Sequence, residues 1–164
     1  MKKFIKTVCC LLILIALATL VLTPIIAYAS PPTEMSGTYT FIHTSILDIR
    51  QAGGNTIIKD VTNQVLDGDI IGSAIFERTL ILHSSGKYNI QGIDTITASV
   101  GDRSGTLTLR ITGTGDMIAG TVQGKWTILS GTGELANLRG QGVLTGVSNV
   151  AGSYSGQIHF DPDK

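Results

Sequence analysis

Residues 101–129 read GDRSGTLTLRITGTGDMIAGTVQGKWTIL, and this segment gives the clearest indication of the fold class. Residues 106–112 alternate apolar and polar side chains with the period of two that is typical of a half-buried strand. The apolar members are Leu107, Leu109 and Ile111. After a glycine-containing turn, a second inward row is predicted within residues 117–129, with the members Ile118, Val122, Trp126 and Ile128. Gly120 and Gly124 interrupt this row, which predicts a strongly bent strand.

The same alternation continues on both sides of this segment. From residue 36 to residue 160, strand patterns are separated by turn signals about every 10 to 16 residues, and no stretch keeps a helical period over three turns. One apolar face per strand and glycines inside the strands favour a closed barrel, because closure removes exposed sheet edges. We therefore predict an all-β fold: a single closed or nearly closed antiparallel β-barrel of about eight strands at 36–160. A short linker at 30–35 precedes it, and a tail at 161–164 follows it.

Residues 132–139 are the exception to the strand pattern. Leu135 and Leu138 lie three positions apart, Thr132 can cap a helix at its start, and Gly140 can take the left-handed conformation that ends one. We predict a short helical turn whose two leucines close one end of the barrel. A plain loop is the alternative.

Composition separates the chain into two unlike parts. The 164 residues hold 12 basic and 12 acidic side chains, but the part from residue 30 onward holds all 12 acids and only nine of the bases, a net charge near −3. No basic patch alternates with aromatic residues there, so we predict no nucleic-acid partner. Both cysteines, Cys9 and Cys10, precede this part, which therefore contains no disulfide and no cysteine metal site.

Residues 1–29 have the pattern of an export signal. Three lysines precede an apolar run over residues 8–29, and the run ends in Ala-Tyr-Ala, which signal peptidase can accept. We predict cleavage after Ala29 and secretion. The alternative is an uncleaved membrane anchor, because 22 residues at 1.5 Å each reach roughly 33 Å. Both alternatives place the domain outside the cytoplasm, with membrane contact only through the N-terminal segment.

Three motifs resemble those of a known family. They are a glycine-bounded turn at Gly101–Gly105, a Gly-x-Trp strand at Gly124–Trp126, and the sequence GTGELANLRGQG at Gly131–Gly142. Together they resemble a prokaryotic family of domains of unknown function that is related to allene oxide cyclases and dirigent proteins. The resemblance covers roughly residues 36–160 and implies an eight-stranded, calycin-like antiparallel barrel. It implies little about activity, since a fold does not determine a function.

Asp94 is the leading candidate for a functional residue. It shares an alternation row with Ile90 and Ile96, which predicts an inward position where an unpaired charge is costly and the carboxyl pKa is raised. The alternatives are a salt bridge to an inward Arg78 and a bulge that exposes Asp94. We place any ligand site inside the barrel. Its candidate residues are Arg78, Tyr88, Asp94, Arg110 and Trp126, of which Arg110 is outward by the alternation of its own strand.

The three histidines do not predict a metal site. His43 on the first strand and His159 on the last are expected to be neighbours in a closed barrel, but two imidazoles still need a third ligand and an ordered second shell. No phosphate-binding loop and no serine nucleophile elbow is present in the sequence. We therefore predict no metal and no cofactor.

Two classes of function follow from this sequence. The first is a non-catalytic domain that binds a small apolar molecule or serves as a surface or structural module, since eight strands enclose room for one small ligand at most. The second, implied by the resemblance to allene oxide cyclase, is an isomerase or cyclase that acts on a reactive lipid-like substrate, because positioning alone can supply much of such a rate. The scarcity of ionisable groups on inward faces favours the non-enzymatic class. The sequence predicts no particular oligomeric state.

Overall fold

The computed structural model describes residues 30–162, so the predicted leader and its cleavage site lie outside the described residues. Eight strands make up the described part: β1 (Thr33–Ala52), β2 (Asn55–Gly68), β3 (Ile71–Leu82), β4 (Lys87–Val100), β5 (Arg103–Asp116), β6 (Thr121–Gly131), β7 (Leu138–Val147) and β8 (Ala151–Phe160). Each strand pairs antiparallel with the next, and β8 pairs with β1, which closes the barrel. The all-β class, the eight strands and the closure are confirmed. Between residues 30 and 162 there is no helix with the length and apolar character needed to cross a bilayer.

The inward-facing side chains form two apolar clusters. The larger cluster includes Ile96, Leu107 and Trp126, and the smaller one consists of the buried residues Phe76, Leu80, Tyr88 and Ile90. The predicted rows on β4 and β5 therefore face the core. Period-two alternation over regular antiparallel strands explains this success, because a strand without a bulge keeps every second side chain on one face.

Glycines inside β7 and β8 make room for the largest core side chain. A Cβ atom at Gly142 or at Gly156 would lie 2.5 Å from Cζ2 of Trp126, which is far inside van der Waals contact. The indole nitrogen of Trp126 donates a hydrogen bond to the carbonyl of Val143, with 3.2 Å between the two atoms. These glycines are thus required for close packing against an aromatic ring.

The predicted helical turn at 132–139 is shorter than expected. Only Gly133–Leu135 forms a 3₁₀ helix, and β7 begins already at Leu138. Thr132 occupies the N-cap position without a side-chain cap bond, since its Oγ1 instead accepts from the backbone N–H of Thr106. Gly140 does not end a helix, because it lies within β7. Leu135 and Leu138 are both fully buried in the core, but only Leu135 belongs to the turn, because Leu138 is the first residue of β7.

One member of the predicted β6 row, Ile118, lies outside the strand. Ile118 is 83% exposed, whereas Trp126 and Ile128 are buried. The strand begins only at Thr121, and residues 117–120 form the turn that connects β5 to β6. The alternation pattern was extended four residues too far because an apolar residue in a turn cannot be told from one in a strand by periodicity alone.

Candidate functional site

The barrel interior contains a cavity of about 60 Å³ that is lined mainly by apolar side chains and is partly open to solvent. Representative apolar lining residues are Leu66, Phe76, Ile90, Ile96, Leu109 and Ile111. Four of the five predicted site residues, namely Arg78, Tyr88, Asp94 and Trp126, also lie on its wall. The fifth, Arg110, does not: it is exposed on the outer face of β5, opposite Ile93 of β4 and Thr127 of β6. Arg110 therefore lies outside this cavity, and its outward position matches the alternation of its own strand.

Asp94 is the most unusual group on the cavity wall. Its side chain projects inward from β4 between Phe76 of β3 and Leu109 of β5, and the residue is only 2% exposed. Its Oδ2 accepts a hydrogen bond from Nε2 of Gln64, with 2.5 Å between the two atoms. Its Oδ1 is buried and has no hydrogen-bond partner among the described residues. Such an oxygen is costly to leave unpaired in an apolar environment.

Burial changes the protonation of this carboxyl. Desolvation raises the pKa of Asp94 to about 7, and the hydrogen bond from Gln64 offsets part of that effect. Since a carboxyl with such a pKa carries a proton for about half of the time near neutral pH, the unpaired oxygen can act as a hydrogen-bond donor or as an acceptor. The site can therefore hold, donate or accept one proton.

The positive charge on the wall is already paired. Nε of Arg78 lies 2.6 Å from Oδ1 of Asp60, its Nη2 lies 3.0 Å from Oδ2, and both side chains are buried. The salt bridge between Arg78 and Asp94, one alternative from the sequence, is therefore not formed, and the alternative of an exposed Asp94 is wrong as well. The guanidinium also lies over the rings of Phe41 and Phe76, at 5.3 and 5.9 Å from their centroids.

Sequence reasoning missed both partners of these groups. Asp60 and Gln64 are inward residues of β2, in the same alternation row as Leu66. Thr62 completes this row and is fully buried. The signal was present in the sequence as a run of polar residues at every second position. This pattern predicts an ion pair only when the register between β2 and β3 is known, because Asp60 then lies opposite Arg78.

The turn between β7 and β8 covers one end of the cavity. Asn149 lines the cavity, adopts φ of 58°, and accepts a hydrogen bond from Nη2 of Arg78 at 2.8 Å. The hydroxyls of Tyr88 and Ser148 lie 2.6 Å apart, and the N–H of Phe41 donates to the carbonyl of Val150. Hydrogen bonds from β1, β3 and β4 thus hold this turn in place.

The histidines are far apart, which corrects the expectation that two of them are neighbours. His43 lies opposite Asn63 of β2, near the middle of β1, and its ring contacts the hydroxyl of Ser45. His159 lies at the other end of the barrel, where its ring is 3.3 Å from a carboxylate oxygen of Asp161. The part of the chain that the structure describes contains no group of three or more side chains able to hold a metal ion.

Comparison with known proteins gives a family of unknown function. A family model described as "Protein of unknown function (DUF3224)" matches residues 35–157. The crystal structure of a protein of unknown function from the DUF3224 family of Shewanella oneidensis MR-1 has a TM-score of 0.62 at 18% sequence identity, and the match covers 81% of this chain and 100% of that one. At this identity the likeness shows the fold alone. No curated protein matches this chain. These matches do not show the predicted relation to allene oxide cyclases and dirigent proteins.

Proposed function

This chain belongs to the DUF3224 family, whose function is unknown, and we propose that its barrel binds one small, largely apolar molecule that carries a single hydrogen-bonding group. The observation that carries the proposal is Oδ1 of Asp94, a buried carboxyl oxygen without a partner among the described residues, on the wall of an apolar cavity. Ligand sites typically combine an apolar lining with a few convergent polar groups. A ligand hydroxyl or carbonyl oxygen would supply the missing partner.

The size of the cavity restricts the ligand. A volume of about 60 Å³ corresponds to roughly four to six water molecules, since each needs about 10–15 Å³. A compact molecule of about four to six non-hydrogen atoms, such as a short cyclic alcohol or ketone, fits this volume better than a long acyl chain does. The positive charge of Arg78 is already neutralised by Asp60, so the lining supports a neutral ligand rather than an anionic one.

We expect a compact oxygenated ligand to stabilise the protein and its hydrocarbon analogue to do so much less. At a concentration near 100 Kd, a ligand that binds only the folded state adds about 2.7 kcal/mol to the free energy of unfolding. Thermal-shift and native mass spectrometry measurements with a small cyclic alcohol such as cyclopentanol, the matching ketone and the matching hydrocarbon test this expectation. Asp94→Leu should remove the preference for the oxygenated ligand, which is about tenfold for one hydrogen bond to a carboxyl.

Glu77→Leu is the matched control, because Glu77 is an exposed carboxylate on the adjacent strand β3, outside the barrel. It should leave both affinities unchanged. Equal affinity of wild-type protein for the alcohol and the hydrocarbon would contradict the assignment of Asp94. Absence of any bound molecule or thermal shift across the panel would leave only a structural role.

The pKa of Asp94 supports a second candidate, an isomerase or cyclase. A carboxyl that titrates at about 7 can pass a proton to or from a bound molecule near neutral pH. Incubation of an unsaturated or epoxide-containing ligand in D₂O distinguishes the two candidates. An enzyme would release a rearranged or deuterated product and would lose this activity in Asp94→Asn, whereas a binding domain would return the ligand unchanged.

A further inference from the structure

Strand β1 is longer than the neighbour that closes the barrel. It pairs with β8 only through Thr33–Thr40, and the last backbone contact on that side joins Phe41 to Val150 in the β7–β8 turn. Residues 42–52 continue to pair with β2 on the other side. Along the β8 side, this segment has no strand partner among the described residues. Part of β1 is therefore an open sheet edge.

The open edge exposes an unusual amount of apolar surface. All of residues 42–52 except Thr44 are exposed. The large apolar side chains are between 54% and 68% exposed, and they are Ile42, Ile46, Leu47 and Ile49. Proteins normally protect an open edge with charges, bulges or a covering element, since its free N–H and C=O groups can pair with another strand. Here register shifts follow Phe41 and Ile46, which leaves Asp48–Ala52 as the regular part of the edge.

The charges on this regular part are self-complementary. Asp48 and Arg50 are both exposed and lie on either side of Ile49. In an antiparallel pairing of two copies centred on Ile49, Asp48 of each copy stands directly opposite Arg50 of the other, on the same face of the sheet. Within one copy Arg50 lies opposite Ile57 of β2, and Asp48 lies opposite Lys59. The pairing therefore gives Arg50 an opposite charge that its own barrel does not provide there.

We propose that this edge pairs through Asp48–Arg50 with the same three residues of a second copy of this chain, about a two-fold axis at Ile49. Backbone hydrogen bonds between the edges provide the attraction, and the two Asp48–Arg50 pairs fix the register. The bulge at the start of the segment limits the pairing to a few residues. Because each copy uses the same patch, the contact is isologous and closes as a dimer instead of growing into a filament.

Cysteine cross-linking of the full chain tests this geometry. In a Cys9→Ser, Cys10→Ser background, Ile49→Cys places two thiols opposite each other across the axis, within the usual Cα separation of about 4.4–6.8 Å for a disulfide. We expect a covalent dimer on mild oxidation. Thr127→Cys is the control, because residue 127 is exposed on β6, away from the edge, and should remain monomeric.

A charge exchange tests the register. In the Ile49→Cys chain, Arg50→Asp puts a carboxylate opposite Asp48 of the other copy at both symmetry-related positions. This repulsion should lower the cross-linking yield at limiting protein concentration by about tenfold. Adding Asp48→Arg reverses both charges and should restore the yield. Thermal unfolding should be nearly unchanged in Arg50→Asp, because residue 50 is exposed and faces Ile57. Any one of three results would overturn the proposal. These are equal cross-linking yields from Ile49→Cys and Thr127→Cys, a yield that Arg50→Asp does not lower, and a yield that Asp48→Arg does not restore.

Discussion

Asp94→Asn is expected to stabilise the domain by about 4 kcal/mol near pH 8 and to change its stability little below about pH 4. Burial raises the pKa of this carboxyl from its ordinary 3.8 to about 7 in the folded protein. The folded state therefore holds the proton more tightly than the unfolded state does. The resulting penalty is absent below about pH 4, grows as the pH rises through the window between the two values, and is complete above about pH 7. Asparagine has the same shape and never takes a charge, so it escapes this penalty.

Urea unfolding of wild type and variant over the same pH range measures this difference directly. Subtracting the two curves removes the contributions of all other titrating groups, because both proteins share them. Asp102→Asn is the matched control: residue 102 is an exposed aspartate in the β4–β5 turn, and its substitution should stay within about 0.5 kcal/mol at every pH. A pH-independent difference, or an Asp94→Asn protein that is less stable near pH 8, would show that the carboxyl is not held in an apolar environment.

The positions of Asp94 and Arg78 could be predicted because β3 and β4 are regular. These strands pair from one end to the other without a register shift, so period-two alternation alone gives the inward face. Strand β1 is different, because it has register shifts after Phe41 and Ile46. Each shift breaks the alternation. Tyr39 and Phe41 line the cavity, whereas His43, two positions further on, is exposed.

The partners of the buried charges could not be predicted in the same way. That Arg78 meets Asp60, and that Asp94 meets Gln64, depends on the relative register of neighbouring strands. Turn length and bulges fix this register, and the sequence shows them only as glycine-rich or polar stretches. The alternation within one strand predicts the face of the sheet on which a side chain lies. Its cross-strand neighbour depends on the register between the strands.

Asp60→Ala is expected to destabilise the domain by about 3–5 kcal/mol, the usual cost of removing one partner from a buried ion pair. The side chain of Arg78 is only 4% exposed, and the substitution removes two of its hydrogen bonds. The guanidinium would keep its hydrogen bond to the amide oxygen of Asn149 and its contacts with two aromatic rings. These interactions do not neutralise a full charge. Denaturant unfolding near pH 7 measures the loss.

Replacing both partners distinguishes two quantities: the cost of leaving one buried charge unpaired, and the net contribution of the ion pair to stability. Asp60→Leu combined with Arg78→Met leaves no buried charge and should recover most of the stability, because an apolar pair of similar volume often equals a buried ion pair. Asp161→Ala is the exposed counterpart, because it breaks the ion pair between Asp161 and Arg139, whose side chains are 41% and 37% exposed respectively. This substitution should cost less than about 1 kcal/mol of stability. If Asp60→Ala cost no more than Asp161→Ala, or if the double variant were no more stable than Asp60→Ala, the pair would not be buried as described. A destabilised single variant with a recovered double variant would show that the fold does not need a charge at this position of the cavity wall.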